Sequence, residues 1–211
     1  MVCNTPDITG YSAFWSKKEH AIMALHAHRH GEDTSFYSHY DRLYQHAFWI
    51  YFPLLPGERL VDIYGRDNYS GAQSFRIDLN FRTNKSRYMV FGPVRPRVLP
   101  LNVSRERGNH LQYHNVASLP TDAPTRIHYN VWPRGIKRLV FENAYIGVLP
   151  PIGSTSPAQP ARPRNEAYFS TTLPLEGVVS VTPSYCRRGD KDLRTLIGGL
   201  LFSVHDTQSG R

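Results

Sequence analysis

Cysteine is nearly absent. Cys3 and Cys186 stand far apart in the chain with no histidine close by, which excludes both a disulfide framework and a zinc ribbon. Long apolar runs are missing too, since nothing approaches the roughly 20 residues of a helical membrane span. The segment Met1 to Gly10 lacks the charged-then-apolar order of a secretory signal. A reducing compartment fits these absences, and the expectation is an intracellular, cytoplasmic protein or one whose signal has been removed. No Gly-x-Ser-x-Gly elbow, phosphate-cradling glycine loop or zincin helix is present. A catalytic nucleophile would have to be assembled from distant residues, so the first expectation is a protein that is not an enzyme and carries no cofactor.

What the chain does contain is punctuation and rings. Its 16 prolines and 15 glycines are scattered along 211 residues and cut them into short pieces, as strands joined by turns require. With 40% hydrophobic residues, and 13 Tyr, 10 Phe and 3 Trp among them, the chain can bury a core. The expectation is a single all-β domain over residues 1–211, a β-prism or β-sandwich of short antiparallel hairpins with little helix. The formal charge of +8 could attract nucleic acid, anionic lipid or acidic glycans. The cations are dispersed among acids, however, and no nucleic-acid module is spelled out. Arg66-Asp67-Asn68-Tyr69, Arg87-Tyr88, Arg95-Pro96-Arg97, Arg105-Glu106-Arg107 and Arg187-Arg188 read as a solvated basic surface, and nucleic acid is not an expected partner.

Period-two alternation marks hairpin-like units. The first pairs Ile8 to Phe14 with Ala21 to His28. The second pairs Arg59 to Gly65 with Phe75 to Thr83 across a linker rich in turn formers, Asp67-Asn68-Tyr69-Ser70-Gly71. A third sets Arg126 to Trp132 against Ile136 to Glu142, with Pro133-Arg134-Gly135 as a tight reversal. A fourth sets Gly177 to Val181 against Leu196 to Val204 across Cys186 to Asp192. Unit starts spaced by roughly 50 to 65 residues are too loose for a solenoid and suit a pseudo-symmetric prism or sandwich. Trp49-Ile50-Tyr51-Phe52 reads as a buried strand. Gly153 to Asn165 reads as a mobile surface loop, and the end at Ser209-Gly210-Arg211 as a truncation that exposes a sheet edge.

Within the second unit, Pro56-Gly57-Glu58-Arg59-Leu60-Val61-Asp62-Ile63, then Leu79-Asn80-Phe81-Arg82-Thr83-Asn84-Lys85 and Phe91-Gly92-Pro93, resemble a jacalin-related lectin repeat. The likeness spans residues 49–93, is fainter over 177–211, and extends to segments of fungal proteins with such repeats. It implies a β-prism whose end loops hold sugar through backbone amides and an aspartate. A carboxylate accepts two hydroxyl hydrogen bonds at once while a ring covers the apolar face of a pyranose. The family's Gly-x-x-x-Asp would begin at Gly189, yet Leu193 occupies the Asp position, leaving Asp190 and Asp192 as the nearby carboxylates. In the second unit, Tyr64, Arg66, Asp67, Asn68 and Tyr69 combine acceptor, donor and rings as a shallow polyol site needs. The resulting expectation is a non-enzymatic, lectin-like module for a glycan or protein partner. A structural or regulatory interaction domain of a larger fungal protein is a further reading.

A different chemistry is spelled by the histidines. His26, His28 and His30 alternate, so a strand would project all three from one face. His26-x-His28 followed by Glu32 resembles the first half of a cupin metal motif, in which two imidazoles and a carboxylate bind a divalent ion. That likeness implies a metal-dependent enzyme of the double-stranded β-helix type. The motif's flanking glycines are missing, Ser38 or His39 stands where its later glycine belongs, and no second half is evident. His110 and His114, spaced like ligands on a helical turn, are read as loop residues.

Overall fold

A computed structural model of the chain describes residues 1–33, 35–43, 47–67, 77–92, 113–130, 133–145, 149–150, 178–187 and 195–204. The elements, in order, are β1 (Val2–Cys3), β2 (Ile8–Ser16), β3 (Ala21–Arg29), α1 (Ser35–Leu43), β4 (Ala47–Pro53), β5 (Leu60–Asp67), β6 (Ile77–Thr83), β7 (Tyr88–Phe91), β8 (His114–Ser118), β9 (Thr125–Tyr129), β10 (Leu139–Phe141), β11 (Val178–Arg187) and β12 (Thr195–Val204). The protein is therefore built mostly of antiparallel β-structure, as its punctuation implies. Two compact units form, Met1–Thr172 and Leu173–Arg211.

In the first unit the sheets run β3-β2-β4, β7-β6-β5-β8 and β1-β9-β10. Each turns alternate side chains inward. Tyr11, Ala13 and Trp15 of β2, Leu60 and Ile63 of β5, Leu79 and Phe81 of β6, Phe91 of β7 and Ile127 of β9 all enter one buried core. Period-two alternation on short strands suits this burial, because one face of each strand is apolar and the other meets solvent or a second layer. The sheets are also stitched by polar groups. Asn4 sits at φ 64°, a left-handed conformation that Asn tolerates. From there its side chain accepts from the Leu60 amide and donates to the carbonyls of Leu60 and Pro120, each at 2.9 Å.

The first two expected hairpins are present. β2 pairs with β3 from Ile8↔Arg29 to Ser16↔Ala21, and β5 pairs with β6 from Leu60↔Thr83 to Asp67↔Ile77. In the third, β9 and β10 pair through Phe141↔Ile127, but the connection is wider than a tight Pro133-Arg134-Gly135 reversal. It is held open because the Ile136 amide donates to Ile22 O at 2.8 Å, drawing Gly135 against β3. A Cβ on Gly135 would stand 2.6 Å from that of Ala21.

The fourth hairpin, β11 with β12, constitutes the described part of the second unit. Its strands continue through Cys186 and Arg187, residues expected in the turn. Pro183 is tolerated inside β11 because both strands of a two-stranded sheet are edges.

Other expectations are corrected in detail. His114 opens β8 rather than lying in a loop, while His110 falls outside the described residues, as does the segment 153–165. Trp49 to Phe52 is only half buried, with Ile50 and Phe52 facing the core and Tyr51 exposed on the opposite side. The helix α1 was not signalled by any long periodic stretch. Its start is marked by Asp33, whose Oδ1 accepts the Ser35 amide at 3.0 Å as an N-cap does.

Candidate metal centre

The outer face of the β3-β2-β4 sheet carries Ser12 and Phe14 of β2, His26 and His28 of β3, and Trp49 and Tyr51 of β4, the cross-strand partners Ser12↔His26 and Ser12↔Tyr51 lying side by side. Rings from α1 cover it. Phe36 stacks on His26 with centroids 3.8 Å apart, Tyr37 stacks on His28 at 5.7 Å, and Tyr40 meets Phe14 at 5.4 Å. Tyr51 meets His28 edge-on at 4.9 Å. Gly10 makes room for that contact, since a Cβ there would stand 2.6 Å from the Tyr51 ring.

Glu32 reaches this face because the chain turns sharply where β3 ends. The Glu32 amide donates to Arg29 O at 3.2 Å, and Gly31 adopts φ 70°. The turn folds the carboxylate back so that its Oε2 accepts from the Arg29 amide at 3.1 Å and from His26 Nε2 at 3.0 Å. His28 Nδ1 lies 4.0 Å from the same oxygen. Candidate ligand atoms of His26, His28 and Glu32 thus all lie within 4.8 Å of one another, and among the described residues no fourth His, Cys, Asp or Glu joins them. Metal bonds of about 2.0–2.1 Å separate neighbouring ligand atoms by roughly 3–4 Å, so the cluster closes on an ion with small side-chain rotations. His30 takes no part: β3 ends at Arg29, and the His30 amide turns away to Asp7 O at 3.1 Å.

The far nitrogen of His28 is held as well. Its Nε2 lies 2.6 Å from Ser12 Oγ and 3.0 Å from the Tyr37 hydroxyl. Such outer hydrogen bonds fix the ring and its tautomer, leaving Nδ1 directed at Glu32. Burial, then the neighbouring His26, push His28 down to about 4 against the pull of Glu32, so the imidazole is neutral, as a ligand must be. For Glu32, burial raises the carboxyl, but hydrogen bonds from His26 and the Arg29 amide and the charge of both histidines outweigh it and hold the group below its ordinary value.

These directions set a pH dependence. Between about pH 6.5 and 4 the unfolded chain protonates His28 while the folded protein does not, so stability falls as the pH is lowered through that window. Glu32, depressed in the folded state, adds loss of the same sign below its ordinary value of 4.5. The melting temperature is expected to decline steadily from pH 6.5 to 4, and His28→Gln to flatten the decline. A level or rising profile for the unaltered protein contradicts this account.

Gly31 supplies a second expectation. Nothing lies within 4 Å of a Cβ added there, so Gly31→Ala acts through backbone conformation alone. Forcing alanine into the left-handed region costs about 1–2 kcal/mol. Urea unfolding of Gly31→Ala should show that loss and Gly31→Asn only part of it; equal stability of all three proteins would mean that the turn is not rigid.

The other candidate residues are placed differently. Tyr64 is 3% exposed and packs with Val90 and Tyr113, so its ring lies inside the protein rather than on an open rim. Arg66 and Asp67 close β5 opposite Asp78 and Ile77. Asn68, Tyr69, Asp190 and Asp192 lie outside the described residues. Ser12, Phe36 and Tyr37 went unrecognised as site residues in the sequence. Their nearest signal was Asp33 followed by Phe36, Tyr37 and Tyr40, an N-cap before a one-sided aromatic stripe.

A scan against protein-family models, a search of curated proteins and a search of solved structures each found no match to this chain.

Proposed function

We propose that the protein binds a divalent first-row transition-metal ion through His26, His28 and Glu32 and uses it with coordination positions left open. The observation that carries this reading is the convergence of two strand-borne imidazoles and one turn-borne carboxylate within 4.8 Å, with His28 oriented from behind by Ser12 and Tyr37. Two nitrogens and an oxygen suit zinc, iron, cobalt or manganese better than calcium or magnesium. Three protein ligands leave room for water or a further ligand, the arrangement of reactive rather than purely structural sites. Here the ion would take the place of the hydrogen that joins His26 to Glu32, and because its ligands must be deprotonated, uptake weakens in acid.

Elemental analysis of protein purified without chelator, followed by calorimetric titration of stripped protein with Zn²⁺, decides the matter. About one ion per chain is expected; no saturable uptake by the stripped, folded protein removes the reading.

A lectin-like module for a glycan or protein partner is the second reading. It draws support from the β5–β6 hairpin, which pairs over the residues that resemble a jacalin-related repeat. Its candidate residues Asn68 and Tyr69 follow β5 in the sequence and lie outside the described residues. A glycan-array screen and a pull-down that both return nothing would end it.

A further inference from the structure

Beside the metal-ligand cluster, along the free edge of β3, lies a cleft of about 220 Å³ whose walls include His26, Glu32, Val2 and Tyr129. β3 pairs with β2 on one side only; on its other edge the Ile22 carbonyl is taken by the Ile136 amide, and the groups that flank the cleft, at Leu25 and Arg29, are closed as well. At Leu25, the Tyr129 hydroxyl accepts from the amide at 3.3 Å and donates to the carbonyl at 2.9 Å. At Arg29, the amide donates to Glu32 Oε2 and the carbonyl accepts the Glu32 amide. Both residues direct their backbone groups away from β2. Ala27 lies midway, and because alternate residues of a strand direct their N–H and C=O to the same side, its pair faces outward too. Ala27 lines the cleft, and among the described residues nothing outside the strand bonds to its N–H or C=O.

We propose, resting on the metal reading above, that this cleft is the second-ligand site of the metal centre and that it takes a small peptide-like amide. One open rung of a strand edge offers a donor and an acceptor side by side, which are answered by a residue bringing its own N–H and C=O. The remaining cations and hydroxyls of the cleft are already engaged: Arg29 lies 3.5 Å from Asp7, the Met1 ammonium donates to Ile127 O at 2.8 Å, and Tyr129 bridges Leu25. A simple anion therefore finds no dedicated partner here. The length is limited by Tyr129 at one end and by the Glu32 turn at the other, so a long strand cannot add. A cavity of about 150 Å³ holds benzene, and the larger cleft accommodates a molecule of dipeptide size. Pairing with Ala27 sets the next carbonyl or carboxylate of such a ligand toward His26 and Glu32, where an ion has positions open.

Cobalt-loaded full-length protein and the probe N-acetylglycylglycine test this. The probe is expected to alter the visible cobalt spectrum and to bind saturably by calorimetry. N-acetylsarcosylglycine, which lacks the pairing N–H, should bind at least tenfold more weakly. Ala27→Pro, which removes the protein's N–H at an edge position, should keep cobalt and lose at least tenfold in probe affinity. Absence of a protein-bound cobalt spectrum overturns the metal reading and this one with it. A normal cobalt spectrum that the probe leaves unmoved, or equal binding of probe and methylated analogue, overturns this proposal alone. Should Ala27→Pro fail to fold, the analogue comparison on the unaltered protein still decides.

Discussion

Replacing Glu58 with alanine is expected to lower the unfolding free energy by about 3–5 kcal/mol. The Glu58 carboxylate is fully buried and occupied on all sides. Oε1 accepts the Thr83 hydroxyl at 2.6 Å, while Oε2 accepts Arg87 Nη1 and the Leu55 amide, both at 2.7 Å. These bonds tie the Leu55–Glu58 turn, with Gly57 at φ 70°, to the reversal where Thr83 N donates to Arg87 O. Alanine removes the countercharge of a largely buried guanidinium and strips an amide and a hydroxyl of their acceptor, and breaking a buried pair costs more than the pair is worth when intact. Against a total stability of about 5–15 kcal/mol the loss is severe. Urea denaturation measures it. Glu58→Gln, which keeps an acceptor but not the charge, should lie between the two. A change below about 1 kcal/mol in Glu58→Ala would show that the network adds little.

The second large effect concerns the ion. Zinc at one hundred times its dissociation constant should stabilise the unaltered protein by about 2.7 kcal/mol, because it binds the folded state alone. His28→Ala and Glu32→Gln each remove one of the cluster's ligands and should abolish that zinc-dependent gain in melting temperature. Tyr37→Phe and Ser12→Ala leave all ligands in place and loosen only the support behind His28. Their affinity should fall by roughly 10–100-fold, as for other outer hydrogen-bond partners. This ordering separates a site built around His28 from zinc held loosely by exposed histidines. If Glu32→Gln and His28→Ala take up zinc as tightly as the parent, the cluster is not the binding site.

How much of this was legible follows from the range of each interaction. The β2–β3 and β5–β6 hairpins could be read because alternation and turn chemistry act over a few residues. The α1 helix could not, since Phe36, Tyr37 and Tyr40 make a stripe little more than one turn long, too short for periodicity to outweigh the surrounding punctuation. The lectin-like residues sit in a turn that reads as open, yet Tyr64 lies with Asp62 on the face opposite Ile63 and is buried there against Val90 and Tyr113, which only its neighbours across the sheet could decide. Trp49 and Tyr51 looked like core because apolar runs do not declare their face, and the face was settled by pairing with Phe14 and Ser12.

The candidate ligands divide in the same manner. That His26 and His28 share a face, and that Gly31 lets Glu32 turn back upon them, is local geometry contained in seven consecutive residues. That His28 is neutral, backed by Ser12 and Tyr37 and flanked by a cleft at Ala27, was decided by the tertiary structure. Those partners belong to β2, α1 and β9, brought together by burial of distant apolar faces, a force with magnitude but no address in the sequence.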